Sequence, residues 1–250
     1  MKTHSLFLSL LLGVAQFAFA NATVTSSNGT VQAQAGSAAV RTIRLGDTLV
    51  AGETVSTGAG SSTTLRFDDG QLVALAANSK MTISAYTFNR AANSGNVLLS
   101  LISGGMRAIS GLIGKNSPDK VAYKAANVTI GIRGTDADII VGPAGVVATV
   151  NDGSITFALP GQAPVVLSIG DAIHLKPDGT FSTGAIQQIA SQLAQTPQGQ
   201  QILDALNGLQ GLSAMLGMPS QEAGIATGVT SSPVPPGTGT SAGGGGTSTR

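Results

Sequence analysis

The chain has 250 residues with no Cys and no Trp, and charged residues make up 10% of it, against about 25% in an average soluble domain. Its 13 Lys and Arg face 12 Asp and Glu, and setting Lys2 aside with an N-terminal leader leaves 12 against 12. A neutral chain offers no electrostatic footprint for a polyphosphate, which argues against a nucleic-acid partner, and a chain without cysteine has no thiol catalysis, Cys-ligated zinc or iron–sulfur chemistry.

Residues 1–20 read as a secretory signal peptide. Lys2 supplies the positive end, residues 6–19 supply an apolar core, and Ala18-Phe19-Ala20 places small residues where a signal peptidase cuts. The apolar run is shorter than the roughly 20 residues a membrane span needs. No Cys follows it, so a lipoprotein is excluded. The mature chain is expected to be periplasmic, secreted or at the cell surface, with no membrane span after cleavage.

Residues 21–184 predict a β-rich domain. Leu65 and Phe67 alternate with Arg66 and Asp68, Asp69-Gly70 follows, and Leu72-Val73-Ala74-Leu75 resumes an apolar strand. This is the pattern of a hairpin with a tight turn. The pattern recurs around Asn151-Asp152-Gly153 and around Pro177-Asp178-Gly179. Tight turns select Asp and Gly, which gives most of these aspartates a structural role. Leu45-Gly46-Asp47-Thr48-Leu49 and Ile169-Gly170-Asp171-Ala172-Ile173 suggest a second repeated turn in a stacked β architecture. The apolar stretch 97–113 is broken by Gly104, Gly105, Arg107 and Gly111, which predicts buried strands meeting at a turn near Ser103-Gly104-Gly105.

Residues 185–217 predict a helical hairpin. Ile186, Ile189, Ala190 and Leu193 share one face, Thr196 can cap a second helix with Pro197 at its first position, and Ile202, Leu203, Leu206 and Leu209 continue an apolar face. Packing on the β domain and self-association are both open to this segment. Residues 218–250, with Val234-Pro235-Pro236-Gly237 and a run of Gly at 243–246, predict a disordered tail.

The order of motifs in the β zone resembles the FecR domain family. Residues 46–83 hold Gly46-Asp47-Thr48-Leu49, Val55-Ser56-Thr57-Gly58, the Asp69-Gly70 hairpin and Asn78-Ser79 leading to Ile83. Gly104 to Arg107 and Ile130-Gly131-Ile132-Arg133-Gly134-Thr135 follow, so the resemblance covers about residues 40–142. It implies an all-β extracytoplasmic domain, sandwich- or solenoid-like, without catalytic residues. In the eponymous regulators it implies receptor sensing and control of a sigma factor through a cytoplasmic segment and one membrane helix. A cleavable leader in place of that segment leaves a stand-alone exported module. Gly46-Asp47-Thr48-Leu49 also echoes a LysM module, but Gly52 and the turn at 55–58 stand where that module needs a helix.

The signature residues Arg133, Gly134, Thr135, Asp136 and Asp138 are the candidate ligand or structural site. Arg133 can offer its fork to a ligand's carboxylate or phosphate, or bond Asp136, Asp138 and carbonyls of the fold. Asp136 and Asp138 share a strand face and can serve a cation, acid–base chemistry, or an Arg of this or a neighbouring strand. No calcium-loop motif accompanies them. His174, the one His after the leader, is expected on a solvated strand face, and no G-x-S-x-G elbow accompanies it. A non-enzymatic, cofactor-free binding or scaffolding module is therefore expected, with an envelope protein or cell-surface polymer as partner. The alternative functions are a sensor acting through a separate membrane protein and a hydrolase using Asp136 or Asp138.

Overall fold

The computed structural model describes residues 21–215. The leader with its cleavage residues Ala18 and Ala20, the tail, and residues 216–217 of the helical segment lie outside the described residues. The first strands are β1 (Ala22–Asn28), β2 (Val31–Ala35), β3 (Arg41–Thr42), β4 (Thr48–Leu49), β5 (Glu53–Thr57), β6 (Ser62–Phe67), β7 (Leu72–Leu75) and β8 (Lys80–Asn89). The others are β9 (Ser94–Ile109), β10 (Val121–Ala125), β11 (Val128–Gly142), β12 (Gly145–Ala158), β13 (Val165–Ser168), β14 (Asp171–Leu175) and β15 (Phe181–Ala185). Helix α1 (Leu112–Asn116) interrupts the strands, and α2 (Ile186–Leu193) and α3 (Pro197–Met215) follow them.

All the strands are hydrogen-bonded into one sheet, and that sheet folds over itself. One layer runs β4-β1-β6-β7-β9-β11-β12-β14-β15. The other runs β3-β2-β5-β8-β9-β10-β11-β12-β13. Strands β9, β11 and β12 belong to both layers. Up to Ser103, β9 pairs with β8 and β10, and from Gly104 it pairs with β7 and β11. The β11–β12 pair crosses between layers as a unit, through a bulge at residues 133–136 of β11. Leu99, Tyr123 and Phe157 of one layer meet Leu65, Met106 and Ile139 of the other in a single buried core. The architecture is thus a β-sandwich, one of the two all-β arrangements, sandwich-like or solenoid-like, that the resemblance implies.

Glycine makes the corners. Gly104, Gly134 and Gly153 have φ of +82°, +58° and +72°, a region costly for residues with a Cβ. A Cβ on Gly153 would lie 2.2 Å from the Gly134 carbonyl oxygen, and one on Gly104 would lie 2.4 Å from the Ser79 Cα. Two sequence expectations change here. The turns expected at Ser103-Gly104-Gly105 and Asn151-Asp152-Gly153 are corners in continuous strands. A chain that exchanges one set of partners for another at a positive-φ glycine keeps its ladder, so no hairpin forms there. The hairpins at Asp69-Gly70 and Pro177-Asp178-Gly179 do form.

The two Gly-Asp motifs share one hydrogen-bonding pattern. The Asp47 carboxylate accepts from the Arg44 N–H at 2.8 Å and the Asp171 carboxylate from the Ser168 N–H at 2.9 Å. Gly46 and Gly170 donate to the carbonyls of Val24 and Val150.

Helices α2 and α3 cover the outer face of the first layer. Ala76, Ile140, Val147 and Ala172 of the sheet pack with Ile186, Ile189, Leu193, Ile202, Leu206 and Leu209. Each such Leu or Ile contributes roughly 1.5–3 kcal/mol on burial, so the helices are held by apolar contact. The Thr196 hydroxyl accepts from the Gly199 N–H at 3.0 Å and caps α3. His174 lies under this layer. It is 7% exposed with Nε2 2.8 Å from the Ala144 carbonyl oxygen, which corrects the solvated face expected of it. The outer face of the second layer carries paired hydroxyls, Thr54 with Thr82 and Ser84 with Ser100. Among the described residues no helix is long and apolar enough to cross a membrane.

Candidate functional site

The signature residues sit at the corner where β11 and β12 turn together. Thr135 fastens it. Its hydroxyl donates to the Ser154 carbonyl at 2.7 Å and accepts from the Arg133 N–H at 2.8 Å, and its own N–H donates to the Ser110 hydroxyl at 2.8 Å. Gly134 supplies the positive φ. Arg133 is exposed, and its guanidinium makes no hydrogen bond or ion pair among the described residues.

Asp136 and Asp138 point away from Arg133 and under the helical layer. Their partner is Arg107, which the β9–β11 register places beside Asp138. Arg107 is 1% exposed. It donates from Nε to Asp136 Oδ1 at 2.8 Å and from Nη2 to Oδ2 at 2.6 Å, a bidentate fork. Asn151 donates to Asp138 Oδ2 at 2.9 Å, and the Thr149 hydroxyl reaches the same oxygen at 3.4 Å. Asp138 Oδ1 accepts no hydrogen bond and lies 4.0 Å from Arg107 Nε.

Burial pushes the Asp138 carboxyl up to about 6, against the opposing pull of Arg107 and of the Asn151 hydrogen bond. For Arg107 burial works to lower the pKa, but the bonds to Asp136 and the charge of Asp138 outweigh it, so the group stays charged. The cluster is thus an ion pair carrying a second, hard-to-ionise acid. It holds the corner to the neighbouring strand and presents no open carboxylate to solvent. Of the sequence alternatives, pairing with a neighbouring strand holds and pairing with Arg133 does not. Arg107 itself was not a site candidate in the sequence, although a lone charge inside an apolar strand must find a buried partner. Among the described residues no group of three or more His, Asp or Glu is placed to hold a metal ion.

A second buried network surrounds Asp69. Its carboxylate accepts from the N–H groups of Gln71 and Ile113 at 3.2 and 3.3 Å and from the Tyr86 hydroxyl at 3.3 Å. Burial, reinforced by Asp69, raises the pKa of Tyr86 and of Tyr123, whose hydroxyl donates to Gln71. Asp69 therefore does more than form a turn, because it ties the β6–β7 hairpin to α1. Beside it opens a cleft of about 640 Å³ whose walls include Arg66, Arg90, Lys115 and Asp68.

Residues 53–156 match the family model described as FecR protein. That segment of the chain is similar to the FecR family. The match runs from β5 into β12, so it contains the strand corners and the Arg107–Asp136 pair, and it ends beyond the limit of about 142 expected from the motifs. The Gly46-Asp47-Thr48-Leu49 opening precedes it. No curated protein matches the chain. Two solved structures of a candidate anti-sigma factor from Parabacteroides distasonis ATCC 8503 are similar at 13% identity and a TM-score of 0.43. One is covered over 59% of its length by 53% of this chain, and the other over 74% by 66%.

Proposed function

We propose that this protein is an exported, non-enzymatic binding or scaffolding module of the bacterial envelope, built on a FecR domain and engaging an envelope protein or a cell-surface polymer. One observation carries the reading. The acids that a hydrolase or a cation site would need, Asp136 and Asp138, are buried against Arg107 and Asn151 as part of a strand corner. What the signature leaves at the surface is the cation of Arg133, which suits recognition of a partner's carboxylates. The leader supports export, and the FecR domain supports a regulatory or interaction role. Residues 21–184 would act as the β module, with 185–217 packed on it as a helical cover.

Affinity capture from envelope extracts tests this. Wild-type protein should retain a specific envelope component. Arg133→Ala should retain less while its Tm stays within about 1 °C, as for an ordinary surface substitution. Recovery of nothing above background, or equal recovery by both proteins, would count against the reading. If Asp136→Asn together with Asp138→Asn abolished a hydrolytic activity of the folded protein, the module would instead be an enzyme.

The FecR domain favours a second reading, a sensor whose output passes through a separate membrane partner to a sigma factor. A gene neighbourhood with a sigma factor or a TonB-dependent receptor would support it, and a neighbourhood of secretion or adhesion genes would sink it.

A further inference from the structure

The start of β1 meets a carboxylate. The Asn21 backbone nitrogen lies 2.8 Å from Asp68 Oδ2, and the Asp68 N–H donates to the Asn21 carbonyl at 3.1 Å. The next residue, Ala22, is fully buried and registered against Phe67 and Leu49. The position of Asn21 is therefore set by the sheet. Independently, the Ala18-Phe19-Ala20 motif places the leader's cut on the peptide bond that ends at this nitrogen. Until that bond is cut the nitrogen is a neutral amide, and afterwards it is an α-ammonium group.

We propose that Asp68 is the binding site for the α-ammonium group that leader removal creates on Asn21. Processing then converts an amide–carboxylate hydrogen bond into a charge-assisted one, which is roughly twice as strong. A cut one residue to either side would move the amine by about 3.3 Å along the strand, out of this contact. Asp68 is suited to the task. It is exposed and has no Lys or Arg within ion-pair distance among the described residues. Its neighbour Asp69 is committed to Tyr86, Gln71 and Ile113. Arg66, Arg90 and Lys115 share the cleft with Asp68, so pairing the amine with Asp68 also limits repulsion between the new charge and those cations.

The proposal deepens the exported reading and rests on its cleavage site, and two measurements separate their failures. Mass analysis of the exported protein should find Asn21 at its start, and a different terminus overturns both the cleavage site and the natural pair. The ion pair itself is tested by a thermal cycle on protein that begins at Asn21, comparing free and Nα-acetylated termini in wild type and in Asp68→Asn. Acetylation keeps an N–H donor and removes the charge. Each change alone should lower Tm by about 1–3 °C, the two together should lower it no further, and 1 M NaCl should remove most of the difference. Coincident melting of the free and acetylated wild-type proteins, or additive losses, overturns the role of Asp68 even where the terminus is correct.

Discussion

Arg107 is the single charge in the apolar stretch 97–113, and it is the most consequential side chain of the corner. Replacing it with Met keeps the volume and strands two acids under the helices. The expected cost is about 3–5 kcal/mol, the penalty for breaking a buried pair from one side, read by urea unfolding. Arg133→Ala should cost less than about 0.5 kcal/mol. Reversal of that order would show that the wrong arginine holds the corner. Both arginines belong to family-like motifs, and the sequence alone points to Arg133 and passes over Arg107. The choice depends on a register between strands separated by about thirty residues, which no local pattern encodes. Asp138 adds a pH effect of definite sign. Its carboxyl is raised to about 6 in the fold from about 3.9 when unfolded. Between those values the folded state binds the extra proton, so this group's contribution to stability declines as pH rises from about 4 to 6 and then levels. Asp138→Asn removes the decline. The variant's stability relative to wild type should therefore rise by on the order of 1–3 kcal/mol between pH 4 and 7.5. A flat difference would mean that Asp138 is ionised throughout.

The decisive elements are the long strands that pass from one layer to the other. Alternation of apolar residues revealed the strands, and the 3.6-residue period revealed α2 and α3. Gly104 and Gly153 misled because a positive-φ glycine serves a tight turn and a strand corner alike. Asp69-Gly70 and Asp178-Gly179 close hairpins, whereas Asp152-Gly153 lies within β12. The difference is set by which strands lie alongside, as in the continuous pairing of β11 with β12 on both sides of the bend. His174 follows a related rule, since the face it shares with Val147 is solvated only if no helix covers it. The corner makes its own prediction. Gly134 faces open space at φ +58°, so Gly134→Ala should cost only the left-handed backbone penalty, about 1–2 kcal/mol. Gly153→Ala adds an overlap at 2.2 Å with the Gly134 carbonyl and should cost about 3 kcal/mol or more. Equal losses in denaturant unfolding would show that the two strands do not turn against each other.

For the molecule as a whole the question is whether the helices are a detachable cover or part of one cooperative unit. Leu209 is fully buried, and Gly105 provides the space it occupies. A Cβ at that position would lie 3.2 Å from the Leu209 Cδ1 and 3.4 Å from the Ala205 Cβ. The same helices roof the face on which Arg107, Asp138 and His174 are buried, so their removal would expose a buried charge as well as Ile140 and Val147. Detachment should therefore be unfavourable enough that sheet and helices unfold together. With no Trp in the chain, the buried Tyr86 and Tyr123 report the sandwich through near-ultraviolet dichroism, and the 222 nm signal reports the helices. In wild-type protein the two should be lost at one denaturant midpoint, the mark of a two-state transition. Gly105→Val puts a branched side chain where α3 must sit, and it should split the curves, with the helical signal lost first and the tyrosine signal later. Two midpoints already in the wild type would make the helical segment a separate unit and assign residues 21–184 and 185–217 to different domains.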